Sequence, residues 1–283
     1  WRYLGNGCQS YLINGAGRRN FFRMIAASRW SLLPVVLLVG CAGMFQGSLQ
    51  PLEDDQGRRV LQALRQKEST IRTLRGLFQA SISGSGIPLS QNILGTVSYV
   101  RPDILELKGF IRMGAPVINF HRKGNEYELD FPAEGKVVTG KVDEVQEHTS
   151  WDHTVMLSIR AMDAVLGKVS VVSGEPVRVW KNSERYRIDL TANQSSFGSS
   201  QEDFTVRIWV DAQTMNLTSI EYRRSYDDIV VSVECEDYRE VTINTVEDTS
   251  PVLLPFLVKA TDYRPSGGSI TLYFKEFIVN AAS

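Results

Sequence analysis

The chain has 283 residues, 43% of them hydrophobic, and 31 Lys and Arg face 32 Asp and Glu for a net charge of −1. Such a balance gives nucleic acid little to hold, because that affinity rests on neutralising phosphates. Three cysteines are too few for a disulfide framework, and the length allows one or two domains, with large β-folds often staying single.

Residues 1–40 carry Arg2, Arg18, Arg19, Arg23 and Arg29 and no acidic residue. Trp1 is not Met, whereas Met24 stands where a secretory signal of ordinary length would begin, so residues 1–23 are expected to be an upstream artefact. Residues 30–43 read WSLLPVVLLVGCAG. The apolar run is too short for a membrane span, which needs roughly 20 residues, but suits the core of a signal peptide behind a basic flank. A buried core segment is the plain alternative, and it has no need of an all-basic flank. Residues 24–40 are therefore read as the signal.

Leu38-Val39-Gly40-Cys41 resembles the lipobox of bacterial lipoproteins. That resemblance implies diacylglycerol on the Cys41 sulfur, cleavage before it, and acylation of the freed amine. Two or more chains give stable attachment, since each buried methylene adds about 0.8 kcal/mol and one chain binds only marginally. Without residues 1–40, 26 basic residues face 32 acidic ones, a net charge of −6. Ala42 in place of Asp points to the outer membrane, where a retention rule of that kind operates. Residues 41–57, rich in Gly, Gln and Asp, read as a lipidated tether, and residues 58–283 as one domain.

Val60, Leu61, Leu64, Ile71 and Leu74 fall at helical spacing among charged residues. They predict an amphipathic helix of about four turns, capped by Asp54 or Asp55 and stopped by Gly76. From there the period changes to two. Phe78, Ala80 and Ile82 share a face, as do Val97 and Tyr99, then Leu105, Leu107, Gly109 and Ile111. Further strands follow at Val117–Phe120, Tyr127–Phe131 and Lys136–Val142. Val155, Met156, Ile159, Met162, Val165 and Leu166 then predict a second amphipathic helix, with Asp152 as N-cap and Gly167 as stop. Strands resume at Val177–Val179, Tyr186–Leu190, Val206–Val210, Thr218–Tyr222, Val230–Val233, Phe256–Ala260 and Ile270–Phe274. Asp227-Asp228 reads as a turn, and Cys235 as a small packed hydrophobe. About a dozen strands with short turns predict a mainly β, antiparallel sheet, curled or barrel-like.

The order of these pieces resembles the LolA/LolB-like lipoprotein-carrier superfamily. The likeness is carried by Ile71-Arg72-Thr73-Leu74-Arg75-Gly76, by Gly95 to Asp103 (GTVSYVRPD), by Ile208 to Thr214 (IWVDAQT) and by Leu254-Pro255-Phe256 with Ile270–Phe277. It covers about residues 58–280. The resemblance implies an antiparallel incomplete (half) β-barrel whose concave apolar face is covered by helices and takes acyl chains. It further implies an outer-membrane-anchored, LolB-like protein that binds acyl chains or lipoproteins and inserts them, with a periplasmic carrier as donor. In that family a protruding loop presents a leucine followed by glycine to the bilayer. The corresponding stretch is Phe110 to Pro116, with Met113 and Gly114 in those places; a turn whose Met113 folds back onto the core is the alternative.

Candidate cavity lining comes from Val97, Tyr99, Leu105, Leu107, Ile111, Ile208 and Val210, with Leu64, Ile159 and Met162 from the helices. The same alternation builds a filled core, and the sequence does not decide which side chains leave room. Catalytic patterns are missing: no Gly-x-Ser-x-Gly, no Walker loop and no His-Glu-x-x-His occurs. His148 and His153 are spaced by five, which does not place two rings on one helix face. No enzyme, metal or cofactor is expected. The remaining alternative to a carrier is an assembly lipoprotein that uses the sheet as a protein-interaction platform.

Overall fold

A computed structural model describes residues 48–84, 91–111, 114–142, 150–168, 176–191, 205–243, 251–265 and 267–280. In chain order the elements are β1 (Gln50–Pro51), α1 (Asp54–Ser69), β2 (Thr73–Gly84), β3 (Gln91–Val100), β4 (Ile104–Phe110), β5 (Pro116–Lys123), β6 (Glu126–Phe131) and β7 (Lys136–Lys141). Then come α2 (Ser150–Val165), β8 (Pro176–Lys181), β9 (Arg185–Thr191), β10 (Thr205–Asp211), β11 (Leu217–Arg223), β12 (Ile229–Thr242), β13 (Pro251–Asp262) and β14 (Gly268–Val279).

The fourteen strands form one sheet in the order β1-β8-β9-β10-β11-β12-β13-β14-β2-β3-β4-β5-β6-β7. The named strand pairs are antiparallel. Most neighbours are successive hairpins, as period-two strands with short turns favour. Two pairings and one crossover differ, the first being β1 with β8. β14 pairs with β2 from Gly268↔Gly84 to Val279↔Leu74, joining the two ends of the chain. β7 is one edge and β8 lies next to the other, inside β1, so the chain carrying α2 must cross the sheet between them. The sheet does not close: β1 and β7 are its edges. This is the mainly β, open, barrel-like fold with two helices that the strand pattern predicts.

One face of the sheet is apolar apart from a few buried charges such as Arg122 and Asp262. Cross-strand rows run Val279–Leu74–Tyr99–Leu105–Arg122 and Phe277–Gly76–Val97–Leu107–Phe120–Leu129. A third runs Phe274–Phe78–Gly95–Gly109–Ile118. Phe78 sits edge-on to Phe274 at 5.9 Å, and its ring lies over Gly95, where a Cβ would come within 2.4 Å of it. Both helices pack into the same continuous core, which belongs to a single unit, Phe45–Ser283.

The first helix is shorter than its apolar spacing suggests. It ends at Ser69 with Thr70 as C-cap, so Ile71 precedes β2 and Leu74 lies inside it. Gly76 is a strand residue, not a stop. Asp54 and Asp55 occupy the first turn, where carboxylates suit the helix dipole, while Glu53 holds the N-cap position without a side-chain cap. The body also starts earlier than the tether reading allows, because Gln50 and Pro51 pair with Lys181 and Trp180 of β8.

The end of α2 matches its prediction. Gly167 has φ +64, its N–H bonds the Ala164 carbonyl at 3.0 Å, and the Lys168 N–H bonds the Asp163 carbonyl at 2.8 Å. That pair of bonds is a Schellman closure, which favours glycine. The start differs: α2 begins at Ser150, which puts Asp152 in its first turn. Asp227-Asp228 lies in the β11–β12 turn, as predicted, with the Arg224 N–H on the Asp228 carbonyl at 3.0 Å.

Candidate functional site

α2 is the element that decides what the concave face can hold. An amphipathic lid would keep one face wet, yet from Thr154 to Leu166 only Met156 and Ser158 are less than fully buried. The helix packs against β11, β12, β13 and β14 and occupies much of the trough. A helix buried on nearly all sides must be apolar or have its polar groups paired.

Its C-terminal half meets that demand with ions. Asp163 accepts from Arg122 of β5 at 3.0 and 3.4 Å, and both side chains are about 95% buried. Arg160 lies 4.8 Å from the centre of the Tyr222 ring. Burial pushes the Tyr222 phenol above its usual pKa, an effect Arg160 partly offsets. Just past the helix, Lys168 donates to the Pro102 carbonyl and to Asp103 Oδ1, each at 3.0 Å. Its ammonium sits 4.9 Å from the centre of the Tyr99 ring, and the Tyr99 hydroxyl donates to the Pro102 carbonyl at 2.8 Å. Burial first, then the nearby Asp103 and Glu68 carboxylates, push Tyr99 up to about 12.

The N-terminal half is different. Thr154, Val155 and Ser158 face Phe78, Ala80, Ile82, Ile93, Leu107, Ile118 and Phe120 across an apolar cavity of about 50 Å³. Ser158 spends its hydroxyl on the Thr154 carbonyl, 2.8 Å away. The contact surface here is non-directional, in contrast to the ionic contacts at Arg160 and Asp163, within about two turns. A second crevice of about 30 Å³ lies between α1 and the end of α2 and includes Leu64.

Of the predicted lining residues, only Leu107 borders the apolar cavity. Val97, Tyr99 and Leu105 are buried on the same wall, while Ile208, Val210, Ile159 and Met162 are fully buried core. Ile111 is a correction: it is 46% exposed. A register shift between Gly109 and Phe110 breaks the alternation, and the Ile111 N–H turns to the Ala115 carbonyl at 3.2 Å. Gly114, at φ +77, completes this tight turn with its N–H on the Ile111 carbonyl at 3.0 Å. Met113 lies outside the described residues, as do Cys41, the signal and His148.

The ionic fastening of α2 went unpredicted. Arg122 sits in His121-Arg122-Lys123, which reads as a solvated run, and nothing local says that its partner is 41 residues away. Cys235 is buried as expected, and burial pushes its thiol up to about 12. Among the described residues, no cluster of His, Cys, Asp and Glu could hold a metal, and no helix is long and apolar enough to cross a membrane.

Neither a family model nor a curated relative matches the sequence. Solved structures do match in shape. A domain named for outer membrane lipoprotein sorting, from Vibrio parahaemolyticus, superposes with a TM-score of 0.53 at 10% identity, over 81% of this chain and 94% of that one. A DUF1329 family protein from Desulfovibrio piger gives 0.54 at 12% identity over the same shares. The fold is LolA/LolB-like. A LolA superfamily protein from Nitrosomonas europaea is also found, at TM-score 0.48 and 12% identity, over 78% of this chain and 94% of that one. At such identities the two superpositions above 0.5 establish a shared fold alone.

Proposed function

We propose that this chain is an envelope lipoprotein, held at the outer membrane by acyl chains on Cys41, that binds an acyl chain of a lipid or lipoprotein between α2 and the β2–β5 wall. It is a binding protein rather than an enzyme. The observation that carries the reading is the asymmetry of α2, ionically fastened at one end and resting on a dry cavity at the other. A space of about 50 Å³ is well below the roughly 300–1,000 Å³ of ordinary ligand sites. An acyl chain therefore enters by lifting the N-terminal half of α2 and replacing its apolar contacts, a near-even exchange in which no bond breaks. On this reading, cargo comes from a soluble periplasmic carrier, and the Phe110–Pro116 turn, with Met113 beside Gly114, delivers it to the bilayer.

The test is binding of a pyrene-labelled sixteen-carbon fatty acid to the delipidated protein, wild type against Ala80→Leu. Leucine at position 80 fills the cavity and is expected to weaken binding about tenfold, or about 1.4 kcal/mol. Absent binding to the wild-type protein, or unchanged affinity in Ala80→Leu, overturns the reading. The near-complete burial of α2 favours one rival, an assembly platform whose trough is permanently filled. A protein that purifies free of lipid together with a specific protein partner would establish it.

A further inference from the structure

The far side of β8, β9, β10 and β11 has a chemistry that neither the cavity nor the anchor uses. Val179, Ile188, Val206, Ile208 and Ile220 point into the core, so the alternate residues form the outer surface. One outer row is Trp180–Arg187–Trp209, and the next is Arg178–Asp189–Arg207–Glu221. The Arg187 guanidinium stacks on Trp180 at 3.7 Å from the ring centre, and Arg185 on Trp209 at 5.0 Å.

Charge is not balanced across this face. Arg207 binds Asp189 at 3.0 Å, and Arg223 binds Glu221 at 2.7 Å, which uses both central carboxylates. Arg187 stays 3.6 Å from Asp189, and its Nε is buried without a hydrogen-bond partner. Arg178 is exposed and has no ion-pair partner among the described residues. Thus Arg178 and Arg185 stand beyond the Arg187–Asp189–Arg207 ion pairs, with Asp211 opposite Arg185 in the register, and leave this tryptophan-backed face net cationic on a protein that is net acidic beyond residue 40.

The chain enters the fold at this place. Pro51 pairs directly with Trp180. Cys41 is nine residues before Gln50, a reach of at most about 30 Å. We infer that the Arg/Trp face of β8–β11 docks on the headgroups of an anionic bilayer, the one to which Cys41 is anchored. This rests on the lipoprotein reading for its geometry, but its chemistry stands apart from acylation and from the cavity. Guanidinium groups suit phosphates, and tryptophan suits the depth of the headgroups. The face orients the tethered body so that the sheet margin at β8 lies against the membrane.

The experiment uses Phe45–Ser283, which contains every described strand, both helices and the whole core and lacks both Cys41 and the apolar run. It is sedimented with phosphatidylcholine vesicles, with and without a third of the lipid replaced by phosphatidylglycerol, at low and physiological salt. Binding is expected only with phosphatidylglycerol and is weakened by salt. Arg178→Gln and Arg185→Gln are each expected to lower the partition about fivefold, whereas Arg178→Lys retains it, with the thermal midpoint as the check on folding. Equal binding to both vesicles, or unchanged binding in the double Gln variant, overturns the inference. Retention on dextran sulfate without vesicle binding also overturns it, in favour of a soluble polyanion. Failure here leaves fatty-acid uptake intact, and failed uptake leaves this result intact.

Discussion

Arg122 and Asp163 illustrate how little of a buried ion pair is visible one residue at a time. Each is a surface residue type by composition, and the two meet only because β5 and α2 are brought together by the fold. Desolvation makes such a pair a weak source of net stability, but a broken one costs much. Asp163→Asn, which strands Arg122 without its countercharge, is expected to lower unfolding free energy by about 3–5 kcal/mol, read from urea denaturation. The double variant Arg122→Met with Asp163→Leu should recover most of that loss, since neither charge then remains buried. Cys235 is the opposite case. Its run Val230-Val231-Ser232-Val233-Glu234-Cys235 shows the alternation that buries it, so its environment was legible directly.

At the level of elements, period and punctuation located nearly everything, and the errors have physical causes. Ile71 and Leu74 extend the helical spacing of α1 by chance, because the inward positions of β2 begin before the helical phase has drifted. The end of the helix is set instead by the Thr70 cap. Ile111 was lost to a register shift, which alternation cannot reveal. The burial of α2 was hidden because Arg160, Asp163 and Lys168 look like a solvated stripe until their partners are known. The glycines in the wall were legible as strand residues but not in their purpose. Gly95 takes the Phe78 ring from the adjacent strand, and a Cβ there would also come within 2.8 Å of the Lys108 carbonyl. Gly95→Ala is accordingly expected to destabilise by about 1–3 kcal/mol, measured as a shift in urea midpoint, with Phe78→Leu restoring part of it.

For the molecule as a whole, the buried phenols and thiol set an alkaline limit. Cys235 and Tyr99 are each pushed up to about 12 by burial, and Tyr222 and Tyr238 also move upward. In the unfolded chain a thiol ionises near 8.5 and a phenol near 10, so unfolding releases protons above that range. Their contribution is therefore complete below about pH 8 and is lost progressively as pH rises towards 12. Urea midpoints should be level from pH 6 to 8 and fall steadily above pH 9, and Cys235→Ala should flatten the first part of that fall. The sheet itself, its antiparallel character and its two helices could be read from the sequence. The cavity could not, because its walls are joined across the β14–β2 seam, and no local pattern announces a pairing between residues nearly two hundred positions apart.

That seam also constrains biogenesis. Residues 74–84 offer an unpaired backbone edge until residues 268–279, made far later in the chain, arrive. Loop closure on that scale makes assembly slow. A half-made apolar wall with a naked strand margin invites aggregation in the meantime. A chain interrupted before residue 268 would lack the strand that unites the two halves of the sheet.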